Sequence, residues 1–264
     1  MQGLFRAMDA DKSNSIDADE LEDALKTRFR IAPKLTRRLL KELDADGDGE
    51  VAPLEYVQRV SAAKEKGIFA CCESGKPVDV LALYALLESG EASKNAPGEN
   101  GMTPLMVAAA SDNASAAAVL VEASADLEAV DQYRQTAMHK AATQDSLAVL
   151  DVLLNATSNA APGERLAYVD GHDEQAPDGE WRRIDGAWVS TTEGAATLVN
   201  LQDQFGKTAL HYAAENNYAK AASSLLRGGA DPSAETAKGD TPAALAKAKG
   251  AADALDVIQR WVTP

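Results

Sequence analysis

The chain has 264 residues, 45% of them hydrophobic but only 5% aromatic, and a formal net charge of −15. That length allows a large core and two domains, while the acidity excludes a nucleic-acid binder, which needs a basic face for phosphates. No apolar run reaches the ~18 residues of a membrane span, residues 1–12 lack the apolar stretch of a secretory signal, and the neighbours Cys71 and Cys72 cannot frame a disulfide scaffold, so we expect a soluble, cytoplasmic monomer.

Leu4, Phe5 and Met8 have helical spacing ahead of an acidic loop running from Asp9 to Glu20. At most eight residues precede that loop, as a trimmed or truncated chain would have. Its oxygen-bearing positions are Asp9, Asp11, Ser13, Ser15 (through its carbonyl), Asp17 and Glu20, with Ile16 at position 8 and Asn14 at position 6. Leu21, Ala24 and Leu25 then mark a second helix. A basic run comes next: Lys26, Arg28, Arg30, Lys34, Arg37, Arg38 and Lys41. It reads first as a solvated face and secondly as a docking surface for something acidic. Leu39, Leu40 and Leu43 lead into the second loop, Asp44 to Glu55. That loop places Asp44, Asp46, Asp48, Glu50 (carbonyl) and Glu55 at the spacing a hard cation needs, with glycine at position 6 (Gly49) for the sharp turn. Pro53 can open the next helix, whose inward face is Tyr56, Val57 and Val60.

Both loops resemble the EF-hand calcium loop, the second more closely. The resemblance implies two calcium ions, a short bridge between Ile16 and Val51, and weaker binding at the first loop. There Asn14 replaces glycine at positive φ, and Ser13 supplies a neutral oxygen where the second loop has Asp48. No Pro/Ser-rich linker comes after the second loop; the last helix runs to Gly67, which reads as its cap. We place the first domain at 1–66 and expect a stiff junction.

From residue 67 the chain repeats. Thr103-Pro-Leu-Met-Val-Ala-Ala109 returns at Thr136, Thr208 and Thr241, at intervals of 33, 72 and 33 residues. Each is succeeded by a second helix: Ala116–Val121, Leu147–Leu154, Ala219–Leu226 and Ala252–Trp261. From Val121, Leu154 and Leu226 to the next threonine the gaps are 15, 54 and 15, so one connection carries 39 additional residues. Threonine caps a helix, proline at the first turn is preorganised, and paired alanines let helices approach closely. A 33-residue Thr-Pro-Leu-His-x-Ala-Ala period resembles the ankyrin repeat. An earlier, degenerate repeat fits residues 67–99, with Cys71 and Cys72 as small packing residues rather than redox or metal groups. Lys247, in place of the second alanine, suits a solvated capping repeat. In ankyrin stacks histidines placed as His139 and His211 hydrogen-bond between neighbouring repeats.

The insertion, about 157–195, contains Glu180 to Ser190, where Asp185-Gly186 reads as a two-residue hairpin turn. In that register Ile184 faces Ala187, Arg183 faces Trp188, and Trp181 faces Ser190. Trp181, Arg183 and Trp188 then share a face suited to cation–π contact. The hairpin either covers the repeat edge or offers a recognition surface. His172, flanked by Asp170 and Asp173, is the one place where enzyme chemistry would have to reside.

The expected fold is all-α: an EF-hand pair (1–66) and an ankyrin solenoid of about five repeats (67–264) with a small β-hairpin insertion. The expected function is non-enzymatic, a calcium-regulated adaptor binding a protein partner on its ankyrin surface. The alternatives are a constitutive scaffold with structural or buffering calcium sites and, more distantly, an enzyme working through the insertion. Residues 1–66 carry a net charge of −2 and residues 67–264 a net of −13. Two calcium ions would reverse the first sign, which predicts that calcium draws the module against the first repeats.

Overall fold

The computed structural model describes residues 2–27, 36–157, 181–184, 187–190 and 198–262. They divide into two compact units, Met1–Asp126 and Leu127–Pro264. Among the described residues no helix is long and apolar enough to cross a membrane.

The first unit opens with four helices, α1 (Gln2–Met8), α2 (Ala18–Thr27), α3 (Thr36–Leu43) and α4 (Pro53–Lys64). Their apolar spacing closes a small core of Phe5, Met8, Ile16, Leu21, Leu39, Leu43, Val51, Tyr56 and Val60, all 4% exposed or less. Phe5 meets Tyr56 edge-on at 5.6 Å between ring centroids. Leu40 and Val57 lie half-buried at its margin. Residues 28–35, with much of the basic run, lie outside the described residues; Arg38 pairs with Glu42 one turn on, at 3.3 Å.

Four more helices complete this unit: α5 (Gly67–Glu73), α6 (Pro77–Glu88), α7 (Pro104–Ala110) and α8 (Ala114–Glu122). Gly67 takes φ +82 and so ends the run of α4, but it serves as the first residue of α5. Cys71 and Cys72 are fully buried, and burial pushes their thiols up to about 11 and about 12. They pack as the alanines do in later repeats. Asn113 joins the two helix pairs: its Oδ1 caps α8 at Ala116, and its Nδ2 donates to the carbonyls of Cys72 and Ser74, at 3.0 and 2.6 Å.

The second unit contains α9 (Ala137–Thr143), α10 (Leu147–Thr157), α11 (Ala209–Glu215), α12 (Ala219–Arg227), α13 (Pro242–Lys249) and α14 (Ala252–Val262). The helices on either side of residues 158–197 pack directly on one another, α9 on α11 and α10 on α12. Buried alanines (Ala141, Ala142, Ala213, Ala214, Ala221, Ala222) permit this close approach. Residues Trp181–Ile184 (β1) and Ala187–Ser190 (β2) pair antiparallel, with Trp181 opposite Ser190, Arg183 opposite Trp188 and Ile184 opposite Ala187. The turn Asp185-Gly186, the side chains of both strands and the Asp170–Asp173 segment lie outside the described residues.

The threonine caps divide by the residue three places further along. Thr103 and Thr241 accept the N–H of Met106 and Ala244 through their side chains, at 3.4 and 3.2 Å. At Thr136 and Thr208 the third helical residue is histidine, and its imidazole completes a capping box. Nδ1 of His139 and of His211 accepts the threonine N–H, at 3.2 and 3.0 Å, and lies 2.9 Å from the threonine Oγ1. Nδ1 therefore carries no proton, and Nε2 donates onward to the next repeat: His139 to the Lys207 carbonyl (3.0 Å), His211 to that of Asp240 (3.1 Å).

Candidate metal centre and ankyrin surface

Each acidic loop curls because its carboxylates accept its own backbone N–H groups. In the second, Asp44 takes Gly47 and Gly49 (2.6 and 3.0 Å), Asp46 takes Asp48, and Asp48 takes Glu50. Glu55, in the first turn of α4, reaches back to the N–H groups of Ala45, Asp46 and Ala52. These donors, Ala52 foremost, hold its carboxyl below the usual range. Gly49 sits at φ +93, where a side chain would be strained.

The first loop has the same design. Glu20 accepts from Ala10 and Asp11 (2.7 and 3.1 Å) and from Asp17. Asn14 adopts φ +68 and donates its N–H to Asp9, as Gly49 does to Asp44. Asp17 also accepts the Glu20 N–H at 2.8 Å, capping α2. Ser13 Oγ lies 3.1 Å from both the carbonyl and the hydroxyl of Ser15. Its backbone N–H and hydroxyl, in that order, depress the Asp11 carboxyl. The loops are joined by Ile16 and Val51, which exchange two backbone hydrogen bonds at 3.0 and 2.9 Å.

Carboxylate oxygens converge in both loops within 4.8 Å of one another: Asp9, Asp11 and Glu20 in the first, Asp44, Asp46 and Asp48 in the second. Glu55 and Asp17 stand outside these two groups, held by the backbone contacts above. The donors are all hard oxygens, the class that calcium takes. One oxygen of Asp9, Oδ1, is buried with no hydrogen-bond partner among the described residues. A buried anionic oxygen left so is costly unless a cation satisfies it. The residues present fit the ion.

The second candidate surface lies on the loops before α9 and α11. Asp131 Oδ1 accepts from Tyr133 and Gln135 (2.8 and 2.9 Å), and Asp203 Oδ1 accepts from Phe205 and Lys207 at the same distances. The same turn recurs, so Tyr133 and Phe205 occupy equivalent tips, 45% and 55% exposed, beside Val130. Successive tips are stitched by backbone bonds, Gln204 N–H to Tyr133 C=O (3.0 Å) and Ala237 N–H to Phe205 C=O (2.9 Å). A Cβ at Gly206 would come within 2.5 Å of the Ala237 nitrogen. Behind the tips, Tyr212 donates to Asp203 (2.6 Å) and accepts from Gln135 (2.8 Å), with Lys207 over its ring. Burial raises Asp131, but Lys140, 2.7 Å away, and the Gln135 and Tyr133 N–H groups outweigh it and lower the carboxyl. Sequence reasoning passed over these tips. The signal was present: Asp-Gln-aromatic stands at the same distance before Thr136 and Thr208.

The ankyrin-repeat family matches residues 68–162 and 190–259, and the EF-hand domain pair matches residues 1–61. Neurogenic locus notch homolog protein 1 of Xenopus tropicalis is 33% identical over 152 residues, 58% of this chain but 6% of that protein. The probable calcium-binding protein CML29 of Arabidopsis thaliana is 36% identical over 59 residues, 22% of this chain and 71% of that protein. Polcalcin Aln g 4 of Alnus glutinosa is 38% identical over 53 residues, covering 20% and 62%. This chain thus spans only a small fraction of the notch proteins it matches. The chain belongs to the ankyrin-repeat proteins, and ahead of its repeats it carries an EF-hand calcium-binding pair.

Proposed function

We propose that this protein is a calcium-regulated adaptor, with the calcium module in residues 1–66 and a protein-binding ankyrin stack in residues 67–264. The module takes two calcium ions. One is held by Asp9, Asp11, Ser13, Ser15, Asp17 and Glu20, the other by Asp44, Asp46, Asp48, the Glu50 carbonyl and Glu55. The observation that carries this reading is the pair of convergent carboxylate clusters on loops bridged at Ile16 and Val51. Bound calcium neutralises carboxylates that otherwise repel one another. Glu20 and Glu55, each in the first turn of the helix leaving its loop, tie that helix to the loop. The partner is a protein lying along the Tyr133 and Phe205 tips. The stack comprises five repeats, with the 157–195 insertion and its hairpin between the third and fourth.

Calorimetric titration tests the metal assignment. Two binding events are expected, the tighter at Asp44–Glu55, where Asp48 adds a charge that Ser13 lacks. Glu55→Gln should abolish the tighter event and Glu20→Gln the weaker. A tighter isotherm unchanged by Glu55→Gln refutes the assignment. Partner affinity equal in calcium and in chelator would leave a constitutive scaffold.

A further inference from the structure

Helix α4 belongs to both functions. Its first turn carries Glu55, bonded to the N–H groups of Ala45, Asp46 and Ala52. Two turns on, Val60 and Ala63 are buried, and α4 packs along α6 of the first ankyrin helix pair. The seam is polar at its far end. Lys64 Nζ lies 2.7 Å from Glu91, just beyond α6. Lys66, two residues beyond the end of α4 and directly ahead of α5, has its Nζ 2.7 Å from Asp79 in the first turn of α6, and Ser74 donates to the second oxygen of that carboxylate. The Asp79 side chain is 1% exposed. The Cys71 thiol donates to the Ala63 carbonyl at 3.6 Å.

We propose that α4 couples the second calcium loop to the first ankyrin helix pair, with Lys66–Asp79 as the positioning contact. This rests on the calcium reading above. The loop whose carboxylates already converge and the seam that pins α4 occur together in one compact unit. Because α4 carries Glu55 in its first turn and packs on α6 further along, a seam that holds α4 in this placement favours the loop's binding geometry, and by linkage calcium at the loop strengthens the seam by the same factor. Of the two ion pairs, the buried carboxylate matters more. Glu91 is 55% exposed and water screens its pair, whereas Asp79 without Lys66 is a buried charge lacking its cation.

Hydrogen exchange and calorimetry on the full chain decide it. Calcium should slow exchange of α5 and α6 amides ~5-fold or more and leave α13 and α14 unchanged. Asp79→Asn should weaken the tighter calcium event ~5-fold, with two ions still bound. Lys66→Gln, which alters only the half-exposed partner, should do the same if Asp79→Asn compromises folding. Glu91→Gln should shift affinity less than 2-fold. Calcium bound at full stoichiometry with α5 and α6 exchange unchanged would overturn the coupling while the calcium sites stand. No calcium bound at all would overturn the metal reading and the coupling with it.

Discussion

His139 and His211 show how one residue can serve two repeats. Each accepts its threonine N–H at Nδ1 and donates from Nε2 to the following repeat, so only the neutral imidazole fits. Burial is the main cause that lowers both below the ordinary 6.5. Around His139, Asp203 and Asp131 oppose the shift while Lys140 adds to it. As pH falls the unfolded chain takes up these protons first. The stability they contribute is therefore complete above about 6.5 and is lost as pH drops toward the folded values, at up to ~1.4 kcal/mol per pH unit for each site. The urea midpoint of this protein should fall between pH 7.5 and 5.5. The depressed carboxyls of Asp131 and Glu215 lose their contribution only at lower pH, in the carboxylate range. A flat midpoint across pH 7.5 to 5.5 would refute the role of the imidazoles.

At the scale of elements, the connection between α10 and α11 is the instructive one. His211 reaches a carbonyl 29 residues on and His139 one 68 residues on, yet the two bonds match to 0.1 Å. The difference is the same 39 residues that separate the long connection from the two regular ones. Each histidine contacts the residue just before the next threonine, so α9 and α11 meet as neighbouring repeats do. Deleting residues 158–196, which restores the regular gap, should leave a cooperatively unfolding protein with Tm within ~5 °C of the intact chain. Loss of a cooperative transition would show that these residues belong to the core. The same deletion, assayed for partner binding, separates a hairpin that recognises a partner from one that covers an edge.

For the molecule as a whole, the sequence suggested a boundary at residue 66 and an electrostatic attraction switched on by calcium. α4 lies on α6 within one compact unit, with Lys64–Glu91 and Lys66–Asp79 formed, so apolar packing and local ion pairs account for this contact without a reversal of the module's net charge. Exposed charges act over only ~8 Å at physiological salt, whereas packed apolar surface needs no such field. A chain beginning at Gly67 would uncover the α6 surface that α4 now buries and would leave the buried Asp79 without its cation. We expect it to lose a few kcal/mol in the first helix pair, read as faster exchange in α5 and α6 with α11 to α14 unaffected. Equal protection in the shortened and intact chains would establish residues 67–264 as an independent domain.

Local rules made most of this protein readable. The curl of the two acidic loops is legible from spacing, because each carboxylate bonds a backbone N–H only two to ten residues away and the turn demands Gly49 or Asn14 at positive φ. The repeats are legible for the same reason: each is one short unit with its own cap. Contacts between units distant in sequence were not legible. Lys64 ends α4, Lys66 stands just before α5, Asp79 lies in the first turn of α6 and Glu91 beyond its end. Nothing in their spacing says that they meet across 27 and 13 residues. Nor does spacing by itself say which carbonyl each imidazole Nε2 will meet, because the next repeat supplies it. Tertiary packing decides such contacts, since it alone sets which face of α4 is buried and which acid loses its water.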